Sequence, residues 1–282
     1  MSIYKRRIIN RFMCSATLLC SVFALAPLIS ILVYVLSKGI TSINLDFFTH
    51  LPRPIGESGG GMGNAVLGTL TLIGLSCLWA IPVGVSSGVY LSEFGHNKFG
   101  TIVRFAADLL NGVPSIVIGI FAYALFVVPM KSFSAISGAF ALGIIMIPTV
   151  IRTTEEILLL VPRTVREAAL ALGINQFRMI VSIVLKTALP GIITGILLAI
   201  GRIAGETAPL LFTALGNEFW QRGITQPIAA LPLQIFAYAI SPFDEWHRQA
   251  WAASFVLIVI VFLMSFISRF VIHIQRKSLG IR

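Results

Sequence analysis

Two ionisable residues four apart, Arg202 and Glu206, lie at the end of an apolar run long enough to cross a membrane. If that run stays helical, they share one face. A charge at membrane depth costs at least about 2.5 kcal/mol, so it is rare there and usually functional. A guanidinium is permanently charged and fork-shaped, which suits it to gripping an oxyanion through paired hydrogen bonds. Arg152, at the end of another apolar run, is a second cation of this kind. In this reading Glu206 holds Arg202 in place and keeps bare anions from leaking through. The plainer alternative for the pair is a structural ion pair inside the membrane. For Arg152 it is a helix-end side chain snorkelling to the interface.

A second stretch with chemical content is Arg166-Glu167-Ala168-Ala169-Leu170-Ala171-Leu172-Gly173. Its pattern is a short helix with an acidic start and a glycine stop. Such a helix can dock into a groove on a soluble partner, or it can simply connect its neighbours. No GxxxxGK[ST] loop occurs, so the chain is not expected to bind ATP in that way. Cys14, Cys20 and Cys77 lie in apolar runs, with neither metal-ligand nor disulfide spacing, and no metal site is expected.

These residues must be positioned by helices. The chain is 57% hydrophobic and only 11% charged, well below a soluble protein's share of charge. We expect an all-α polytopic membrane bundle of six transmembrane helices, at about 13–36, 66–91, 105–128, 135–151, 179 to the 201–205 region, and 251–272. The first apolar run continues past a signal-peptidase-like Ala24-Leu25-Ala26, so it is read as an uncleaved span. Gly59 to Gly63 reads as a flexible connector, or alternatively as a nest of backbone N–H groups for a phosphate. Gly84 and Gly88 read as a close-packing pair. Asp108, Asn111, Pro114 and Ser115 suggest a broken helix lining a cavity; alternatively, Asp108 pairs with Arg104 one turn away. The fourth span should end at Arg152, followed by a polar stretch over 153–178. Residues 216–249, with Trp220, Tyr238 and Trp246, read as an amphipathic connector at a membrane interface.

The net charge of +10 would suggest nucleic acid in a soluble protein. Here its distribution explains it, and no nucleic-acid partner is expected. With six spans, Lys38, Arg53, Lys131, Arg222 and Arg248 fall on one side. Lys186 and Arg202 fall inside the fifth span, and every other Lys and Arg falls on the side of the termini. The positive-inside rule therefore puts both termini, and the 153–178 loop, in the cytoplasm.

Glu167-Ala168-Ala169, then Gly173, then Ile183 and Leu185, resembles the coupling-loop signature of type I ABC importer permeases. One departure is that the signature's proline is replaced by Lys186, with Pro190 following about a turn later. The segments 61–69, 111–119, 151–155 and 202–211, the last containing Gly205-Glu206-Thr207-Ala208-Pro209, resemble the phosphate-importing members of that family. The resemblance implies an inner-membrane permease subunit for inorganic phosphate that is not itself an enzyme and binds no cofactor, ATP and Mg being used by its partners. Those implied partners are a second homologous permease, two cytoplasmic ATPases, a periplasmic phosphate-binding protein, and membrane lipid. It implies a pathway through Arg202, Glu206, Arg152, Thr207, Asn111 and Ser115, and an ATPase-coupling loop at Glu167, Ala168, Ala169 and Gly173. The corresponding division is 1–63 as N-terminal segment, first span and periplasmic loop, 64–272 as five-span permease core, and 273–282 as basic cytoplasmic tail. A permease for another oxyanion, sulfate or molybdate, is the near alternative. An ion-gradient carrier is the distant one, for the two halves of the chain show no internal repeat.

Overall fold

The computed structural model describes residues 3–54 and 59–278, with side chains up to residue 270. The helices are α1 (Ile3–Ile40), α2 (Leu45–Thr49), α3 (Gly63–Phe94), α4 (Lys98–Gly112), α5 (Ser115–Ala122), α6 (Val128–Met130), α7 (Ala135–Leu159), α8 (Arg163–Ala171), α9 (Gln176–Met179), α10 (Leu185–Ala204), α11 (Ala208–Thr213), α12 (Leu231–Ala239) and α13 (Asp244–Ser278). π-helical turns at Tyr123–Val127 and Ile180–Val184 join α5 to α6 and α9 to α10. Among the described residues five helices are long and apolar enough to cross a membrane, α9 to α10 counting as one; α4 with α5–α6 makes a sixth if counted as one span.

The centre of the bundle is the parallel pair α3 and α7, which run side by side from Ser76 on Ala139 to Gly88 on Thr154. Small residues let their backbones approach closely: a Cβ on Gly84 would sit 2.7 Å from Val150, and one on Gly88 2.6 Å from Thr154. The packing reading of these two glycines therefore holds. α10 closes on the other side of α7, with Gly195 against Thr153. The largest apolar core joins Leu72, Leu142, Met146, Ile203 and Leu210. α13 packs on α10 and α12, and α1 meets it through Tyr34 on Trp251, with Gly39 against Phe255. Most of α1 is left uncovered by the described residues.

Four findings bear on these expectations. First, the third span is broken, as Asp108, Asn111, Pro114 and Ser115 suggested: it is two helices meeting at 103°. Pro114 has no N–H and disfavours helix at the residue before it, and Val113 is extended at φ −72°, ψ 129°. Second, α7 does not stop at Arg152 but runs to Leu159, with Thr154 and Glu155 buried. Third, the glycine run is neither a flexible connector nor an anion nest where described. Gly61, Met62 and Gly63 donate their N–H groups to the carbonyls of Leu51, Phe47 and His50, so these three are not free for a phosphate. Gly60 has φ +91°, and a Cβ on Gly61 would overlap the α2 carbonyls. Residues 55–58 of that connector lie outside the described residues. Fourth, the 216–249 connector enters the core: Ile228 to Leu231 are buried, and the Leu231 N–H donates to Thr69 Oγ1 at 2.8 Å. At the end of the chain α13 continues past 272 to Ser278, so the tail read at 273–282 begins as helix.

Candidate functional site

α10 ends just beyond Arg202. Gly205 follows Ala204 as its cap, and the Gly205 and Glu206 N–H groups turn back to the carbonyls of Arg202 and Ile203. Pro209 requires a fresh start, so α11 begins at Ala208. Glu206 is therefore off the helix, and among the described residues it makes no ion pair with Arg202. The expectation of a shared helical face fails because it assumed the helix ran through Gly205.

Arg202 instead reaches the last turn of α4, where its guanidinium donates to Asn111 Oδ1 at 3.5 Å. The break at Pro114 and the break at Gly205 thus face one another. Beyond them α5 packs on α11, with Gly119 against Pro209. Asn111 and Arg202 are exposed, while Ser115 at the start of α5, Glu206 and Thr207 are half-buried. The Thr207 carbonyl accepts the first N–H groups of α11, from Leu210 and Leu211. Arg202 also lines a groove of about 840 Å³ between α7, α10 and α13, with Thr149, Thr153, Glu156, Ser265 and Arg269. Among the described residues neither Arg202 nor Arg269 has an acidic partner.

Arg152 sits differently. It grips Asp108 with two hydrogen bonds, at 2.9 and 2.7 Å, and reaches Glu155 Oε2 at 3.2 Å. Glu155 accepts from Arg104 Nε at 2.6 Å, and Arg104 also donates to the carbonyls of Gly95 and Leu91. Asp108 therefore belongs to Arg152, not to Arg104. The four charges cancel, and they tie α3, α4 and α7 together. Sequence reading missed Glu155, although its spacing of three from Arg152 was a usable signal.

At the same end of the bundle stands α8. Glu167 and Ala168 are exposed, whereas Ala169 is buried against Leu158, Met179 and Val184. Gly173 has φ +78° and turns the chain out of the helix, with its N–H on the Leu170 carbonyl. That conformation is cheap only for glycine. Leu170, Leu172 and Phe177 lie uncovered, Leu172 at 81% exposure. A π-helical turn occupies 180–184, just before Lys186. Arg166, not singled out from the sequence, points inward. It donates to Glu93 Oε1 at 2.8 Å and to the carbonyls of Leu158 and Val161.

A multi-span helical bundle with two facing polar breaks and an uncovered helix at one end has the build of a membrane permease. Residues 80–280 match the family described as binding-protein-dependent transport system inner membrane component. The chain is 45% identical over 277 residues to the phosphate transport system permease protein PstA of Yersinia pestis, covering 96% of this chain and 92% of that one. It is 46% identical over 263 residues to the PstA protein of Xylella fastidiosa, covering 93% and 91%. A solved chain from the MetNI methionine ABC transporter, in an inward-facing conformation, superposes with TM-score 0.60 over 75% of this chain and 96% of its own, at 18% identity. The chain belongs to the binding-protein-dependent transport system inner membrane component family and, within it, to the PstA permeases.

Proposed function

We propose that this chain is one permease subunit of an ATP-driven importer of inorganic phosphate in the inner membrane. It pairs with a second homologous permease, and each supplies half of the path. A phosphate-loaded periplasmic protein delivers substrate at the α2 end. Two cytoplasmic ATPases, using ATP and Mg, dock at the coupling helices, one on each permease. The termini and α8 face the cytoplasm, in keeping with the arginine and lysine distribution. The apolar length of α1 that no part of the chain covers is suited to lipid.

The observation that carries the reading is Arg202. It is an exposed guanidinium without an acidic partner among the described residues, held by Asn111 where two broken helices face each other. Non-helical backbone at membrane depth is tolerated where it is buried in protein or lines a cavity, and a positive group there attracts an oxyanion. Thr207 and Ser115 flank the two breaks, and Glu206 beside Arg202 limits the site to anions that can displace solvent from it. Arg152 is already matched by two carboxylates, so its part in the path requires exchange of Asp108 for substrate.

The docking surface is the outer face of α8, formed by Glu167, Ala168 and Gly173 with Leu170, Leu172 and Phe177. Ala169, read as part of the loop, supports it from beneath. The decisive experiment is uptake of labelled phosphate into vesicles holding the whole complex, with ATP present or withheld. Uptake that needs ATP and is not displaced by sulfate or molybdate is expected. Uptake without ATP would mark a gradient-driven carrier, and displacement by sulfate another oxyanion permease. Ala168→Arg should release the ATPase from the purified complex while the permease still inserts.

A further inference from the structure

Glu93 has no role in the path or on the docking surface, yet it is the acid on which α8 rests. It lies one residue before the end of α3, its side chain is 7% exposed, and Arg166 of α8 holds both of its oxygens at 2.8–3.3 Å. The same guanidinium binds the carbonyls of Leu158, near the end of α7, and Val161, just beyond it. Arg166 is thus the knot between the exposed helix and two core helices, with Glu93 its tie to α3.

From that knot α3 runs as one helix for 32 residues, with Pro82 inside it, to Gly63, about 48 Å at 1.5 Å per residue. Its far end is fastened as firmly. Asn64 donates to the Asn217 carbonyl at 2.7 Å, Thr69 accepts from the Leu231 N–H at 2.8 Å, and Gly63 lies against Trp220 and the Phe48 carbonyl. A packed helix moves as a rod, so a displacement of α8 is passed to the loops at the opposite end. α7, reached through the Leu158 carbonyl, is a second route but one without an acid, and α10 offers none. α10 breaks at Gly205, and the contact of α8 with α9–α10 is apolar packing around Ala169.

We propose that Glu93 is a positioning residue of the transport cycle: through Arg166 it links the ATPase-docking helix to α3, and so to the surface that receives the loaded binding protein. The proposal rests on the docking reading of α8, which Ala168→Arg tests separately. If the ATPase still co-purifies with Ala168→Arg, the docking reading fails whatever Glu93 does.

The test uses the whole complex in vesicles and measures three things: ATPase co-purification, basal ATP hydrolysis, and the stimulation of hydrolysis by phosphate-loaded binding protein. Glu93→Gln should keep the ATPase bound and hydrolysis at its basal rate, while stimulation and uptake fall roughly tenfold, within the usual range of coupling between sites. Glu93→Asp, which keeps the charge, should recover part of both. Arg166→Lys keeps a cation for Glu93 but cannot serve both carbonyls as well, and should retain more stimulation than Glu93→Gln. Wild-type stimulation in Glu93→Gln overturns the proposal. So does loss of the ATPase from that variant, which would make Glu93 an anchor. Should Glu93→Gln fail to insert, Arg166→Lys and Glu93→Asp decide alone: loss of stimulation in Arg166→Lys with none in Glu93→Asp would assign transmission to the carbonyl contacts and overturn the role of Glu93.

Discussion

Arg152 and Arg202 are both arginines on membrane-length helices, and both face α4, but their surroundings are opposite. Arg152 meets two carboxylates at 2.7–3.2 Å, and Arg104 beside it completes a set whose charges cancel. Arg202 meets a neutral amide at 3.5 Å, at the edge of a groove holding a second arginine, Arg269, that also has no acidic partner among the described residues. A matched charge inside a membrane protein fixes helices relative to one another. An unmatched one is costly unless something else brings the counter-charge. On the proposed function, the contrast gives the first cluster a scaffolding part and the second the ligand.

The sharpest way to break that division is to remove the acid that two arginines share. Glu155 has 5% of its side chain exposed and bridges Arg104 and Arg152. Glu155→Ala leaves half-buried Arg104 without its acid, while Arg152 keeps Asp108, a loss of roughly 3 kcal/mol, the low end for a broken buried pair. The complex should be recovered in poor yield and melt early. Normal yield and thermal stability with lost uptake would move this cluster from scaffold to path.

The apolar runs, the short helix with its Gly173 turn and the family resemblance were legible in the sequence because each is local or depends on spacing alone. The choice of charge partners was not. Glu155 looked like the start of a solvent-exposed loop because hydropathy counts it as polar, and its partner Arg104 lies 51 residues away. Asp108 had a local candidate in Arg104 and took Arg152 instead, a decision made by how α4 lies on α7. The Arg202–Glu206 pair failed for a local reason that was readable. Gly205 and Pro209 both punctuate a helix, and giving them their weight would have ended α10 before Glu206. The burial of 228–231 was hidden because the run is too short to register as a span.

A smaller effect is expected at Arg202, and it sharpens the comparison. Because Glu206 is not its partner, Arg202→Gln strands no counter-charge, and the complex should assemble as the native one does. Uptake should fall about 10- to 100-fold, the worth of a hydrogen bond to a charged group. Arg202→Lys should also transport poorly, since a point charge cannot reproduce the fork. The double variant Arg202→Gln with Glu206→Gln should assemble no better than Arg202→Gln alone. If the single variant misassembles and the double one recovers, the two side chains are structural partners after all. Complex yield and labelled phosphate uptake, measured on the same preparations, separate the outcomes.

The smallest change is at Asn111, and it converts one kind of site into the other. Asn111→Ala removes only a long, weak acceptor from Arg202, so uptake should stay within about threefold of wild type. Asn111→Asp keeps the shape and places a carboxylate where the amide oxygen was, giving Arg202 what Asp108 gives Arg152. An arginine so matched is held by a charge-assisted pair. An incoming anion must then displace the carboxylate and also meet its repulsion. Assembly should be unchanged, while uptake falls about tenfold, as expected for a charged hydrogen bond that the substrate must now replace. The loss should be recovered in part at saturating phosphate, because the aspartate competes with the substrate for Arg202. Concentration curves for the two variants, side by side, test this. If Asn111→Asp transports like Asn111→Ala at every phosphate concentration, an unmatched guanidinium at the double break has no bearing on transport, and the contrast with Arg152 loses its functional meaning.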